Sequence, residues 1–193
     1  LSRKGRNDEV IRLVVALTTL LRKGISKGDD FISVESEIEH VKSYLEIQSV
    51  RYGSAFTYDI DASESVFHLQ VPKLVLQPIV ENAIYHGVKE KSGPGRIEVR
   101  ARKTPKVVLF EVYDNGVGMD EATLESLNNT VRNLAGEKIS SYGLKNVQER
   151  VRIFFGQEYG LRFASEPGEG TTVVLTLPIT QEVPQYGASA YSR

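Results

Sequence analysis

The segment Leu76–Val88, LQPIVENAIYHGV, places an acid, an amide and an imidazole within an apolar run. Glu81, Asn82 and His86 carry these three groups. Burying a polar group is costly unless it is hydrogen-bonded. The three side chains therefore either find partners inside a protein core or face a pocket whose ligand they contact.

A second candidate site follows an apolar strand pattern that ends in Asp114. The sequence YDNGVGMD, residues 113–120, continues with Gly116 and Gly118. Glycine permits positive φ and lets the backbone approach a ligand closely. Asp114 would then be an acceptor on the floor of a pocket. An ordinary turn containing Asn-Gly is the alternative interpretation.

Two further glycine-containing segments could shape the same pocket. In SSYGLKNV, residues 140–147, Gly143 precedes a predicted helix whose N-terminal amides could meet an anion. A helix start capped by serine is the alternative. In EPGEGTT, residues 166–172, two glycines lie between predicted strands beside threonine hydroxyls. A plain hairpin turn is the alternative there.

The hydrophobic pattern predicts the elements that must position these residues. It indicates helices at 8–23 and 34–52 with a loop at 24–33 between them, and Glu37 and His40 on the surface of the second helix. The next predicted elements are a strand in AFTYDID and a long helix in VPKLVLQPIVENAIYHGV that begins after Pro72 or Pro78. Strands in GRIEVRARK and KVVLFEVYD, a helix after residue 119, a helix in GLKNVQERVRIFFG and two strands in LRFASEPGEGTTVVLTLP follow.

This order predicts an α+β fold, in which a mixed, mainly antiparallel sheet carries helices on one face. The predicted divisions are a helical segment at 1–54, a two-layer α/β sandwich at 55–180 and a disordered polar tail at 181–193. The chain has 193 residues and begins without Met, so we expect a fragment of a longer protein.

The composition excludes several classes of protein. A net charge of −1 gives no electrostatic basis for binding nucleic acid or an anionic membrane. The absence of cysteine excludes disulfides and thiolate metal sites, and it fits a reducing compartment. No apolar run reaches the roughly 18 residues that a membrane-spanning helix needs.

The order of the motifs is more specific than any one of them. An Asn-bearing helix, a strand ending in DxGxG, a helix beginning with GL, and GxGTT before a last strand resemble the ATP-binding domain of the GHKL superfamily. Histidine kinases, gyrase, Hsp90 and MutL share that domain. In detail, LQPIVENAIYHGV resembles the N box of LytS-like sensor histidine kinases. The stretch YLEIQSVRYG resembles the segment that leads into this N box, and GLKNVQERV resembles the G2 region of the same branch. The resemblance covers residues 8–178.

The resemblance implies a Bergerat-type site for ATP and Mg²⁺. Asn82 would hold Mg²⁺ through its amide oxygen, a hard ligand suited to that ion. Glu81 and His86 would lie with Asn82 at the phosphates as the catalytic group, and Asp114 would accept a hydrogen bond from the adenine amine. Residues 119–142 would form a lid over ATP. The remaining implied nucleotide contacts are Gly116, Gly118, Gly143, Leu144, Gly168, Gly170 and Thr171.

Two positions depart from the family pattern. Ser141 stands where the G2 box usually has its first glycine, and Tyr85 stands where family members often carry lysine. A cation for the phosphates would then come from Lys89, Lys91 or Lys145.

None of the three histidines, His40, His68 and His86, has the flanking sequence of a phosphoacceptor in this branch. The resemblance therefore implies that the acceptor histidine lies on an upstream dimerization helix and that residues 1–54 are part of the dimerization segment. We expect the chain to bind ATP without phosphorylating itself. We also expect helices 8–23 and 34–52 to expose an apolar stripe that the upstream helix would cover, through Ile11, Val14, Val15, Leu17, Leu20 and Leu21.

The leading hypothesis is the cytoplasmic catalytic domain of a two-component sensor histidine kinase, a homodimer that serves a cognate response regulator. Its parent protein could carry a membrane anchor upstream. A GHKL-type ATPase and a non-catalytic nucleotide-binding scaffold are the alternatives. Clamp ATPases carry Glu four residues before the N-box Asn, and Pro78 stands there. This position favours phosphoryl transfer over hydrolysis.

Overall fold

The computed structural model describes residues 7, 10–19, 30–53, 56–133 and 142–180. The α-helices within these residues are α1 (10–19), α2 (Val34–Tyr52), α3 (Gln77–Asn82), α4 (Glu121–Asn133) and α5 (Tyr142–Phe155). The strands within them are β1 (Phe31–Ser33), β2 (Phe56–Ala62), β3 (Gln70–Pro72), β4 (Gly95–Lys103), β5 (Val107–Asp114), β6 (Gly160–Glu166) and β7 (Gly170–Pro178).

Five strands form the main sheet in the order β2-β4-β5-β7-β6. The β2–β4 pair is parallel and the other three pairs are antiparallel. The predicted mixed, mainly antiparallel sheet is therefore confirmed. The register places Thr171 of β7 opposite Asp114 of β5, so the ends of two neighbouring strands meet at one edge of the sheet.

Alternation along the strands separates an apolar face from a charged face. In β4, Ile97, Val99 and Ala101 are fully buried beneath the helices, because successive side chains of a strand point to opposite faces. The intervening residues form ion pairs on the other face, where Glu98 contacts Arg96 and Arg100. Within the described residues, the helices thus cover one face of the sheet, as predicted.

Helix α2 belongs to the hydrophobic core that covers the sheet. Ser33 caps its N-terminus by accepting a hydrogen bond from the Ser36 amide. Its apolar stripe, which includes Val34, Val41 and Leu45, is fully buried in that core. The division at residue 54 remains a prediction, although the packing joins α2 to the sheet.

Two polar residues of α2 contradict the prediction that they lie on the surface. Glu37 is 0% exposed and His40 is 2% exposed. Glu37 accepts hydrogen bonds from the amides of Leu74 and Leu76, 3.0 and 2.8 Å away. Glu37 is buried because the loop before α3 needs its acceptor oxygens, and His40 is buried because its ring contacts the Gln77 side chain. Helix periodicity reveals neither requirement.

The prediction of a loop throughout 24–33 is wrong for its last three residues. Strand β1 pairs antiparallel with β3, joining Phe31 to Pro72 and Ser33 to Gln70. Phe31 is buried against the end of α5, with its ring centroid 4.9 Å from that of Phe154. This aromatic contact and the pairing with β3 depend on residues distant in sequence, so no local pattern indicated a strand.

The predicted long N-box helix is divided into three parts. Six residues form α3, a π-helical turn follows at Ala83–Gly87, and a short 3₁₀ turn occupies Val88–Glu90. A π turn adds a residue to the helical repeat and often marks a functional site. Here it brings Gly87 against the end of β5.

Helix α1 exposes the described part of the predicted apolar stripe, whereas the apolar stripe of α2 is buried in the core, contrary to the expectation for residues 34–52. Ile11, Val14, Val15 and Leu17 are each more than half exposed. The predictions for Leu20, Leu21 and the tail 181–193 lie outside the described residues, and so does the part of the predicted lid at 134–141. Within the described residues, no helix combines the length and apolar character needed to cross a membrane.

Candidate functional site

Asp114 is the centre of the candidate site. It is the last residue of β5 and follows the buried series Val108, Phe110 and Val112, so its carboxylate points into the helix-covered side of the sheet. It is only 2% exposed, and its Oδ1 atom accepts a hydrogen bond of 2.9 Å from the Gly116 amide. Burial raises its pKa to about 6, while hydrogen bonds and the Lys91 charge oppose this shift.

Two glycines allow backbone to pack directly on this carboxylate. A Cβ atom on Gly87 would lie 2.2 Å from Asp114 Oδ1, and one on Gly116 would lie 2.3 Å from the Gly87 backbone. Both distances are far below van der Waals contact. The π turn and the turn after β5 therefore meet at Asp114 in a way that any larger residue would prevent.

The hairpin between β6 and β7 closes the other side of the site. Gly170 has φ +115° and would place a Cβ atom 1.9 Å from the Asp114 carbonyl oxygen. Gly118 has φ +67° and would place one 1.9 Å from the Glu166 carbonyl oxygen. The Gly168 amide donates to the Val117 carbonyl at 2.7 Å. The two glycine-rich turns are thus one connected structure.

Ser165 joins these turns and was missed by the sequence analysis. Its Oγ atom accepts from the Met119 amide at 2.9 Å and donates to the Gly170 carbonyl at 2.7 Å. It also lies 2.9 Å from the Thr171 hydroxyl. A serine near the end of a strand is too common to indicate this role, which depends on the β6–β7 pairing.

The three lysines considered as phosphate partners all have contacts within the protein. Lys91 donates to the Asn115 carbonyl at 2.6 Å. Lys89 lies 5.6 Å from the centre of the Tyr85 ring. Lys145 lies 3.9 Å from Glu149, one helical turn further along α5. Exposed contacts of the last two kinds are weak, so Lys89 and Lys145 could be released toward an anion more easily than Lys91.

The three N-box residues occupy different environments. Asn82 is half-buried at the end of α3, and His86 is exposed in the π turn, directly before Gly87. Glu81 is half-buried and accepts a hydrogen bond of 2.8 Å from Gln77 Nε2. Their assigned roles remain predictions.

A polar chain connects Glu81 to α2. Gln77 Oε1 lies 2.7 Å from His40 Nε2, while the other end of the same amide binds Glu81. Burial raises the pKa of the Tyr44 hydroxyl above its ordinary value, and the charge of Glu81 and a hydrogen bond to Tyr85 add to this effect. Glu81 is therefore oriented from the α2 side.

The start of α5 brings Gly143 and Leu144 to the helical layer. Leu144 is 1% exposed and belongs to the core, so only its backbone could contact a ligand. Ser141 lies outside the described residues. Within the described part of the chain, no group of three or more acidic or histidine side chains could hold a metal ion by itself.

The mixed sheet carries helices on one face, and a buried carboxylate and glycine turns lie at the ends of its central strands. These features are typical of the class of GHKL nucleotide-binding domains. The family model described as histidine kinase-, DNA gyrase B-, and HSP90-like ATPase matches residues 70–181. The chain belongs to this family. A second model, described as histidine kinase, matches residues 1–56.

Several relatives extend over nearly the whole chain. Sensor histidine kinase YesM of Bacillus subtilis is 35% identical over 95% of this chain, and sensor protein LytS of Bacillus anthracis is 33% identical over 89%. The chain spans 30% and 29% of the length of these two relatives. The predicted resemblance to the LytS-like branch is confirmed.

The fold is also found in solved structures. The histidine kinase domain of the blue-light activated histidine kinase EL346 from Erythrobacter litoralis superimposes with a TM-score of 0.55 at 16% identity. The match covers 92% of this chain and 82% of that domain. This likeness confirms the predicted fold class.

Proposed function

We propose that this chain is the ATP-binding catalytic part of a two-component sensor histidine kinase, acting on a histidine of an upstream dimerization helix. The relatives named as sensor histidine kinases support this proposal, because they match both the α1–α2 region and the sandwich. The observation that carries it is the buried carboxylate of Asp114, enclosed by Gly87, Gly116 and Gly170.

The site fits an adenine base. A buried carboxylate at the end of a strand can accept a hydrogen bond from the exocyclic amine of adenine, whereas guanine presents a carbonyl oxygen at that position. The backbone of the two glycine turns provides a flat wall because no side chain can occupy it. Asp114 therefore selects ATP over GTP in this proposal.

Asn82 is the residue that would hold Mg²⁺. An amide oxygen is a hard ligand, and Mg²⁺ in nucleotide enzymes usually takes one or two protein ligands together with phosphate oxygens and water. The half-buried amide of Asn82, which precedes the exposed His86 by four residues, fits this pattern. When bound, Mg²⁺ supplies charge neutralisation on the phosphates, and phosphoryl transfer needs mainly that and positioning.

Glu81 and His86 are proposed to act on the side of the phosphates. Glu81 is held by Gln77, which fixes its carboxylate near the end of α3. From there it can accept a proton from an attacking nucleophile, a role that requires hydrogen-bond reach. His86 is exposed and can contact the phosphates without leaving a core position.

Nucleotide binding is the first test. ATP and GTP are titrated with Mg²⁺ against the wild-type chain, Asp114→Asn and Asp59→Asn. Asp59 is an exposed strand aspartate, so its variant makes the same chemical change away from the site. We expect ATP to bind more tightly than GTP. Asp114→Asn should weaken ATP binding by about tenfold or more, because a charge-assisted hydrogen bond contributes about 1.5–3 kcal/mol. Equal affinities for ATP and GTP would contradict the proposed base contact.

Phosphoryl transfer is the second test. The chain is incubated with labelled ATP, alone and as part of a longer chain that includes the upstream sequence. We expect acid-labile label on the protein only when the upstream sequence is present. The substitution Asn82→Ala should abolish this label. Label on the isolated chain that is lost in His40→Gln would show that the acceptor is misplaced. Release of inorganic phosphate without label on protein would favour the ATPase alternative.

The dimer, the response regulator and a cytoplasmic location are part of the same proposal. The exposed apolar face of α1, formed by Ile11, Val14, Val15 and Leu17, fits a second helix in a dimer. Sedimentation of the longer chain should give a dimer that Val14→Glu weakens. A monomer at all concentrations would contradict this part.

A further inference from the structure

A cavity separate from the glycine-rich site lies between α4, α5 and the outer edge of β6. Its volume is about 260 Å³. It adjoins Gly160 at the start of β6, whereas the glycine-rich site adjoins Glu166 at the end of the same strand. The six residue steps between these positions span about 20 Å in an extended strand. The cavity is therefore separate from the proposed nucleotide site.

The walls of this cavity are held by side-chain amides. Gln148, which is 2% exposed, accepts from the Leu161 amide at 2.6 Å and donates to the Tyr159 carbonyl at 3.3 Å. Asn128 donates to the Phe163 carbonyl and accepts from the Phe163 amide, at 3.0 and 3.1 Å. These bonds satisfy the free edge of β6, so the amides are fixed and the cavity is formed without a ligand.

Three arginines from three different elements line the cavity. Arg132 comes from α4, Arg152 from α5 and Arg162 from β6, and Glu158 is the one acidic residue among the described residues that line the cavity. Within the described part of the chain, none of the three arginines forms an ion pair. The lining therefore carries an excess of two positive charges.

Arg152 shows that an acceptor is needed there. One of its terminal nitrogens, Nη2, donates to the Arg132 carbonyl at 2.5 Å, which anchors the guanidinium between α4 and α5. Its Nε atom is buried and has no hydrogen-bond partner among the described residues. A buried charged donor without an acceptor is unfavourable, and such groups usually have a partner. Among the described residues the guanidinium also has no ionic partner, and an anion in the cavity would provide one to its terminal nitrogens.

We propose that this cavity binds a small dianion with its charged oxygens close together, either a phosphoryl group or a dicarboxylate. Guanidinium groups match both anions through paired N–H donors. The volume lies below the usual range for drug-sized ligands, which begins at about 300 Å³. The ligand is therefore a small molecule. Because it contacts α4, α5 and β6 together, it would hold these three elements against one another.

The test uses inorganic phosphate and malonate, each added without nucleotide at an ionic strength held constant with sodium chloride. The readout is the Nε–Hε resonance of Arg152 in nitrogen-15 spectra, together with the thermal unfolding temperature. We expect one or both anions to shift this resonance in a saturable manner. The anion that saturates it at the lower concentration identifies the chemical class.

The variants decide where the anion binds. Arg152→Gln and Arg162→Gln should each weaken binding by about tenfold or more, as the loss of a charge-assisted hydrogen bond does. Arg162 is exposed, so its variant should fold normally. Arg100→Gln, on β4 and separated from β6 by the strands β5 and β7, is the control and should bind like wild type. Two results would overturn the proposal. One is a shift of the Arg152 resonance that does not saturate and is the same in all variants. The other is binding that is lost in Asn82→Ala but retained in Arg162→Gln.

Discussion

Ionisation of Asp114 should destabilise the free protein. Burial raises the pKa of this carboxyl from 3.8 to about 6, so the folded protein holds its proton more tightly than the unfolded chain does. Stability changes with pH according to the difference in bound protons, and it falls as pH rises wherever the folded state binds more of them. The contribution of Asp114 is therefore fully present below its unfolded pKa and is lost as pH rises through the folded one.

The size of this effect follows from the pKa difference. One pKa unit corresponds to about 1.36 kcal/mol, so the full contribution is about 3 kcal/mol. Most of it, about 2 kcal/mol, is lost between about pH 4 and pH 7, because the unfolded carboxyl is already partly ionised at the lower limit. Such a cost is large beside the 5–15 kcal/mol of stability that is typical of whole domains.

The assay is urea unfolding across this pH range for the wild-type chain, Asp114→Asn and the surface control Asp59→Asn. The variant Asp114→Asn cannot titrate, but its amide also loses one of the N–H partners of the carboxylate. A comparison at a single pH therefore mixes two effects. The difference in free energy of unfolding between wild type and Asp114→Asn should instead decrease by about 2 kcal/mol as pH rises, because only ionisation depends on pH.

Two outcomes would refute this reasoning. A difference between wild type and Asp114→Asn that stays constant with pH would mean that the Asp114 carboxyl has an ordinary pKa and is not desolvated. The same change in Asp59→Asn would mean that the pH dependence reflects the net charge rather than burial. Other buried carboxyls such as Glu37, whose pKa burial also raises, titrate in all three proteins and cancel in the comparison.

Three further substitutions test the packing around the site. Glu37→Ala should lower the free energy of unfolding by about 2–4 kcal/mol, since one buried and one half-buried amide lose their acceptor, and Glu35→Ala at an exposed position of the same helix should have a smaller effect. Gly170→Ala should destabilise by about 1–3 kcal/mol more than Gly53→Ala in the same urea assay. Both glycines have positive φ, but only Gly170 has an atom within van der Waals reach of the added methyl group. Gly87→Ala should weaken ATP binding by about tenfold or more while circular dichroism shows a folded protein, because its Cβ atom displaces the Asp114 carboxylate; unchanged affinity would exclude Asp114 from the base contact.

The sequence was sufficient for the sheet and for the glycine turns. Alternation in β4 and β5 marks both the strands and the face they bury, because the same residues that favour a strand also cover the core. Asp114 stands in phase with the buried residues of β5, so its inward direction could be inferred from Val112 alone. The turns were predictable because glycine is required where φ is positive or where backbone packs on a carboxylate.

The buried polar contacts could not be predicted, for a physical reason. A helix pattern assigns charged residues to the solvent side, and this rule fails for Glu37 because its acceptor oxygens satisfy Leu74 and Leu76, nearly forty residues later. Strand β1 was missed for a similar reason, since its pairing with β3 and the packing of Phe31 are both non-local. Ser165 also takes its role from the paired hairpin.

These same non-local contacts determine how the N box is held. Glu37 binds the amides at the start of α3, and His40, one turn further along α2, binds Gln77, which in turn holds Glu81. Each step is a direct hydrogen bond between buried or half-buried groups, so the position of Glu81 depends on the position of α2. A displacement of α2 along its axis would break the bond to Leu76 and the bond to Gln77 together, because both of these partners belong to the same end of α3. The residues that give the N box its chemistry are local in sequence, whereas the geometry that orients Glu81 is set by the helix that precedes the sheet.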